Sequence, residues 1–166
     1  MLKTIALASA LAQLGLALAT PAGAQLLTHM DLSLDTALAI AQGVMAACKA
    51  KGHRVSVTVV GRLGEVIVQL RGDNAPPYTP ESSFRKAYTA RAFRAPTEQL
   101  SAFLYRPGQP PQPETTLPDI LALQGGAPIA VGNDVIGGVG VTGAGGTSAD
   151  QECAAMGLKS AADQLK

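Results

Sequence analysis

Residues 127–143 read APIAVGNDVIGGVGVTG, and the way this stretch folds decides the class of the whole chain. Residues 127–131 and 135–141 are apolar and rich in β-branched side chains. They flank the turn Gly132-Asn133-Asp134, which predicts a hairpin. The segment from Gly138 to Gly143 also spells G-x-G-x-x-G. A dinucleotide site needs a βαβ unit there, with an acidic residue closing its second strand. The residues after Gly143 suffice for one helix, so a dinucleotide fold is excluded. The glycines are read instead as points where another backbone comes close.

Working outward, residues 55–60 form a β-branched run suited to a strand. Gly61-Arg62-Leu63-Gly64 makes the turn, and residues 65–70 pair back as a first hairpin. Before it, Leu34, Leu38, Ala41, Met45 and Cys48 recur at helical steps, predicting a helix over 33–51. Ser33 or Asp35 caps its start, and Lys49, Lys51 and Gly52 mark its end. A second helix is expected over 81–94. Pro96 ends it, and Thr97 caps a third helix through 104. Residues 106–118, RPGQPPQPETTLP, allow neither helix nor central strand and read as a long surface loop. Residues 143–146 are a glycine-rich break. Ser148-x-x-Gln151 has the capping-box pattern, opening a last helix over 149–165. The order is helix, hairpin, two helices, hairpin, helix. Strands joined by tight turns are antiparallel, so the class is α+β with helices packed on an antiparallel sheet.

The chain has 166 residues, 47% of them hydrophobic, with 13 basic and 12 acidic side chains. That balance argues against a nucleic-acid binder. Lys3, an apolar run from residue 5 to 19, and Ala22-Gly23-Ala24 describe a secretory signal peptide, with cleavage expected between Ala24 and Gln25. Residues 25–166 are then one domain, periplasmic or secreted. No later stretch is long and apolar enough to suggest a membrane span.

Export places Cys48 and Cys153 in an oxidising compartment, where a disulfide persists. Two readings stand: one bridge, or two buried thiols packed as small hydrophobes. No Cys/His spacing suggests zinc. The phosphate-loop motif lacks its lysine. Arg71-Gly72-Asp73 spells an adhesion tripeptide of a kind common by chance. No nucleophile–base pattern is visible, so no catalytic residue is assigned. His29 and His53 are the histidines, and either imidazole suits iron.

Arg71, Arg85, Lys86, Arg91, Arg94 and Arg106 crowd residues 71–106. The second helix carries charge on several faces while Phe84, Tyr88 and Ala92 share one. Two readings fit: a helix between the sheet and a ligand or subunit, or a solvated helix with a narrow core stripe.

An ordered set of segments resembles the GlcG/HbpS-like, or haem-degrading, family. It comprises Val57-Thr58-Val59-Val60 with Gly64, Arg71 to Ala75, Arg85 to Ala90, Phe93, Pro96-Thr97-Glu98, Gly125 to Ile129, Val135 to Gly143, and Asp150 to Leu158. Gly61 stands where the family's first hairpin carries an acidic residue. The resemblance implies a profilin-like α+β domain with a five-stranded antiparallel sheet. It also implies an oligomer and, for exported members, haem or iron binding. Packing of the first and last helices on one sheet face would bring Cys48 and Cys153 together. Haem or a related tetrapyrrole is the expected small-molecule ligand. Arg71, Lys86 and Arg91 are the candidate cations for its propionates, with Thr89 and Thr97 as hydroxyl partners. Asp73 and Glu98 are expected to orient those cations or bind iron through oxygen. His53 is the metal candidate. The competing expectation is an accessory subunit of a periplasmic complex, with the basic helix as its interface.

Overall fold

The computed structural model describes residues 26–145 and 147–165. The expected leader and its cleavage point lie outside the described residues. α1 spans Leu34–Ala50, β1 Ser56–Val60, β2 Val66–Arg71, α2 Thr79–Phe93, α3 Thr97–Leu104, β3 Gly126–Val131, β4 Asp134–Thr142 and α4 Thr147–Ser160. This is the expected element order. Ser33 caps α1 by accepting from the Thr36 amide. Pro80 sits in the first turn of α2, where its missing N–H is no loss, and the helix starts earlier than expected.

The sheet runs β2-β1-β4-β3, antiparallel throughout. It has four strands among the described residues, not the five implied by the family resemblance. Between the two hairpins the chain forms α2, α3 and a loop with one 3-10 turn, Pro113–Thr116, and contributes no strand. The proline-rich composition of that loop is the physical reason.

Each face of the sheet has its own chemistry. Val57, Val59, Val139 and Val141 join Ile40, Val44 and Ala154 in the core beneath α1 and α4. The opposite face is narrow and polar, and α2 covers it. Ser56 and Thr79 hydroxyls lie 2.7 Å apart, and Thr58 and Ser83 hydroxyls 2.8 Å, all buried. A Cβ on Gly138 would strike the Ala87 carbonyl, and one on Gly140 the Ser83 carbonyl. The glycines of the decisive stretch therefore admit the backbone of α2 against β4, as close approach predicts.

Four local expectations change. Thr97 is the first residue of α3, behind Pro96, and does not cap it. Leu34 is 57% exposed, and the buried face of α1 runs through Ala37, Ile40, Ala41, Val44 and Cys48. The small residues turn inward because α4 crosses closely, with Gly157 against Val44. Ser148 lies inside α4 rather than at its cap, and Gln151 accepts from the Gly125 amide at 2.9 Å. The last helix ends at Ser160, and a 3-10 turn, Ala162–Gln164, follows.

Cys48 and Cys153 form a disulfide, with Cα atoms 5.5 Å apart, tying α1 to α4.

Candidate functional site

The end of α1, the entry to β1 and the exit from β2 meet at one corner of the sheet. Met45, Ala46 and Lys49 come from the last turns of α1. His53, Arg54 and Val55 lead into β1, and Arg71 to Asn74 leave β2. Together they line a cleft of about 530 Å³. That volume lies in the range of small-molecule pockets.

The local backbone holds this corner rigid. The His53 amide donates to the Cys48 carbonyl at 3.0 Å, folding the chain back over the end of α1. The Gly72 amide donates to Val55 at 2.9 Å, and Asn74 turns the chain with φ 60°. Arg71 Nε donates to the Ala75 carbonyl at 3.2 Å, so the turn wraps its own cation. His53 is half-buried. Lys49, Arg54 and Arg71 put three cations around the cleft against the single carboxylate of Asp73. Met45, Ala46 and Val55 supply apolar wall.

Among the described residues no group of three or more His, Cys, Asp or Glu is placed to hold a metal ion. One imidazole is too few ligands for bare iron, but it suffices where a macrocycle supplies the other donors. The donor set thus fits haem better than free iron. Cations beside an apolar wall also match a ligand that is apolar with carboxylates at one edge.

The structure gathers His53, Arg71 and Asp73 here and sends the other candidates elsewhere. Lys86 is not free to meet a ligand. Its ammonium donates to Asp150 Oδ2 at 2.8 Å and to the Val141 carbonyl at 2.9 Å, deep between α2 and α4. Burial pushes its pKa down, with Asp150 opposing that fall. Thr89 accepts from the Leu121 amide and donates to the Arg85 carbonyl, pinning the loop before β3. Thr97 accepts from the Gly126 amide at 2.8 Å and anchors α3 to β3. These three are buried structural groups. Arg91 lines a smaller hollow at the β1–β2 turn. Glu98 is exposed on α3, facing Gln124. Met45, Lys49, Arg54 and Asn74 escaped the sequence reading. The run Lys49-Ala50-Lys51-Gly52-His53-Arg54 was its available signal, though Lys51 pairs with Glu152 on α4 and does not line the cleft.

Residues 32–159 match the family described as haem degrading protein HbpS-like. The chain belongs to the HbpS-like family. The crystal structure of HbpS is similar at 36% identity with TM-score 0.76, covering 82% of this chain and 94% of that one. A double mutant of HbpS from Streptomyces reticuli is 33% identical with TM-score 0.75, covering 93% and 97%. A PduOC:heme complex shares the fold at 24% identity and TM-score 0.71, covering 78% and 94%. No curated protein matches. HbpS-like membership accounts for the ordered segments of the sequence, and the α+β class with an antiparallel sheet is that of the HbpS structure.

Proposed function

We propose that this HbpS-like protein is an exported haem-binding protein and that the corner cleft is its site. The observation carrying this reading is one imidazole, His53, set among Lys49, Arg54 and Arg71 beside an apolar wall. The family's description as haem-degrading supports the ligand class, and the PduOC:heme complex is an example of this fold with haem. Bound haem would supply a coordinated iron. In this chain His53 would ligate it, Lys49, Arg54 and Arg71 would pair with the propionates, Asp73 would orient Arg71, and Met45 and Val55 would exclude water. Export follows from the leader-like start, with cleavage after Ala24. A disulfide between Cys48 and Cys153 fits an oxidising compartment.

Titration of the mature protein with hemin tests the site. A saturable Soret shift at one hemin per chain is expected. Only non-saturable, detergent-sensitive absorbance would overturn the assignment.

An oligomeric or accessory-subunit role rests on a separate observation. Phe103, Tyr105 and Leu117 are exposed apolar side chains on α3 and the segment after it. Sedimentation of the purified chain distinguishes a self-associating species from a monomer.

A further inference from the structure

The turn joining β1 to β2 carries a second hollow, at the opposite end of β1 from the haem cleft. It measures about 120 Å³ and is lined by Arg62, Leu63, Gly64, Tyr88, Arg91 and Ala92. The strand between Val55 and Arg62 separates the two sites by roughly 20 Å at about 3.3 Å per residue. Since a water molecule occupies about 30 Å³ of liquid, the hollow holds a few waters or one small ion, not a macrocycle.

Its walls are built rather than accidental. Gly64 has φ 85°, and a Cβ there would meet the Tyr88 ring at 2.6 Å, so the absence of a side chain keeps the floor open. Tyr88 is held in turn by Phe84, ring centroids 6.0 Å apart. Arg62 is fixed by two hydrogen bonds to Asp134, at 2.9 and 2.7 Å, and by another to the Met30 carbonyl at 3.1 Å.

Arg91 is the unusual member. Its Nε is buried and has no hydrogen-bond partner, and among the described residues it makes no ion pair. The nearby carboxylates are engaged elsewhere. Asp134 and Asp31 are taken by Arg62, and Glu65 accepts from the Leu63 amide at 2.9 Å. Burial, and then the charges of Arg94 and Arg62, hold the Arg91 guanidinium below its ordinary pKa. A buried donor without an acceptor costs free energy that an acceptor would recover, and a guanidinium fork suits an oxyanion.

We infer that this hollow binds a small oxyanion, a phosphate or a short carboxylate, on the guanidinium of Arg91 with Arg62 as its fixed neighbour. The site is independent of the haem reading. Its failure and that of the haem cleft are read separately.

The test is calorimetric titration of the mature protein with inorganic phosphate and, in a second arm, with succinate. Saturable binding of at least one anion is expected. Arg91→Ala should weaken it at least tenfold, and Arg71→Ala, in the other cleft, should leave it unchanged. Should Arg91→Ala fail to fold, Arg91→Lys and the wild-type Arg91 Nε–Hε resonance replace it. That resonance should move on saturation with the same apparent affinity. The arms identify whether phosphate or carboxylate is preferred. Absence of saturable binding in both, binding insensitive to Arg91, a resonance that stays still, or loss of binding in Arg71→Ala would each overturn the assignment. So would displacement of the anion by one equivalent of hemin, which would make this hollow part of the haem site.

Discussion

The Lys86 ammonium and the Asp150 carboxylate meet at 2.8 Å although their side chains are only 2% and 6% exposed. Lys86 belongs to α2 and Asp150 to α4, on opposite faces of the sheet. They reach each other just before β3, where Gly125 has no side chain to block them. Asp150 Oδ1 also accepts from the Ala144 amide at 2.8 Å, so one carboxylate joins helix, lysine and loop. Removing one partner of a buried pair strands the other charge. Lys86→Met should therefore lower stability by about 3–5 kcal/mol, read from urea denaturation. The folded fraction should keep its hemin affinity. A loss of hemin binding with little loss of stability would return Lys86 to the ligand site.

In the corner cleft proposed for haem, Arg54→Ala and Arg71→Ala together should raise the hemin Kd at least tenfold, about 1.4 kcal/mol. His53→Ala should change the position of the Soret band as well as the affinity, because it removes the imidazole that would ligate the iron. Absorbance titration of the three proteins checks both effects. Identical spectra for wild type and His53→Ala would exclude the imidazole.

Because a cross-link between Cys48 and Cys153 closes a loop of 105 residues, the chain-entropy model assigns it about 4–5 kcal/mol. Denatured, unreduced protein should titrate no free thiol. Cys48→Ser with Cys153→Ser should unfold at markedly lower urea concentration.

Gly140→Ala places a methyl group on the Ser83 carbonyl of α2. Backbone cannot yield as a flexible side chain does, so a loss of about 1–3 kcal/mol or more is expected. Thermal unfolding measures it. The same change at Gly52, where a Cβ meets nothing within 4 Å, carries only the strain of its φ of 79°.

Asp134 gives the acid limb of stability. Its hydrogen bond from Arg62 holds the carboxyl below its ordinary value of 3.8. A carboxylate with a depressed folded pKa contributes stability that is present above 3.8 and is lost as pH falls through the lower folded value. The pair is exposed enough to be screened by salt. Urea midpoints from pH 6 down to pH 2 should fall less steeply for Asp134→Asn than for wild type. Parallel curves would remove Asp134 from the linkage.

Strand and turn positions were legible because their signals are local. β-branched runs mark β1 and β4, and Gly132-Asn133 marks the turn between β3 and β4. Gly138 and Gly140 announced a close backbone, though not that it would be α2. Helical spacing points Leu34 inward but the structure turns it out, since hydrophobicity favours leucine while crossing distance favours Ala37 and Ala41. The sequence offers Lys86 as a ligand group because a lysine with a buried partner looks, in one dimension, like any lysine. Its partner Asp150 is on the other side of the sheet and far along the chain. The cleft was half legible for the same reason. Arg71 and Asp73 stood in a recognisable segment, but only tertiary folding brings Lys49 and Arg54 to them.

β1 lies inside the sheet only because β4 pairs with it, Ser56 opposite Thr142. A nascent chain thus makes its first hairpin long before that hairpin has its partner. Until the second hairpin and α4 arrive, β1 offers an open hydrogen-bonding edge, and Val57 and Val59 have only the α1 part of their cover. That is a template for aggregation rather than a stable intermediate. Contacts of such long range also slow folding. A fragment ending before residue 126 should be insoluble, and the intact chain depends on its last forty-odd residues to silence its first strand.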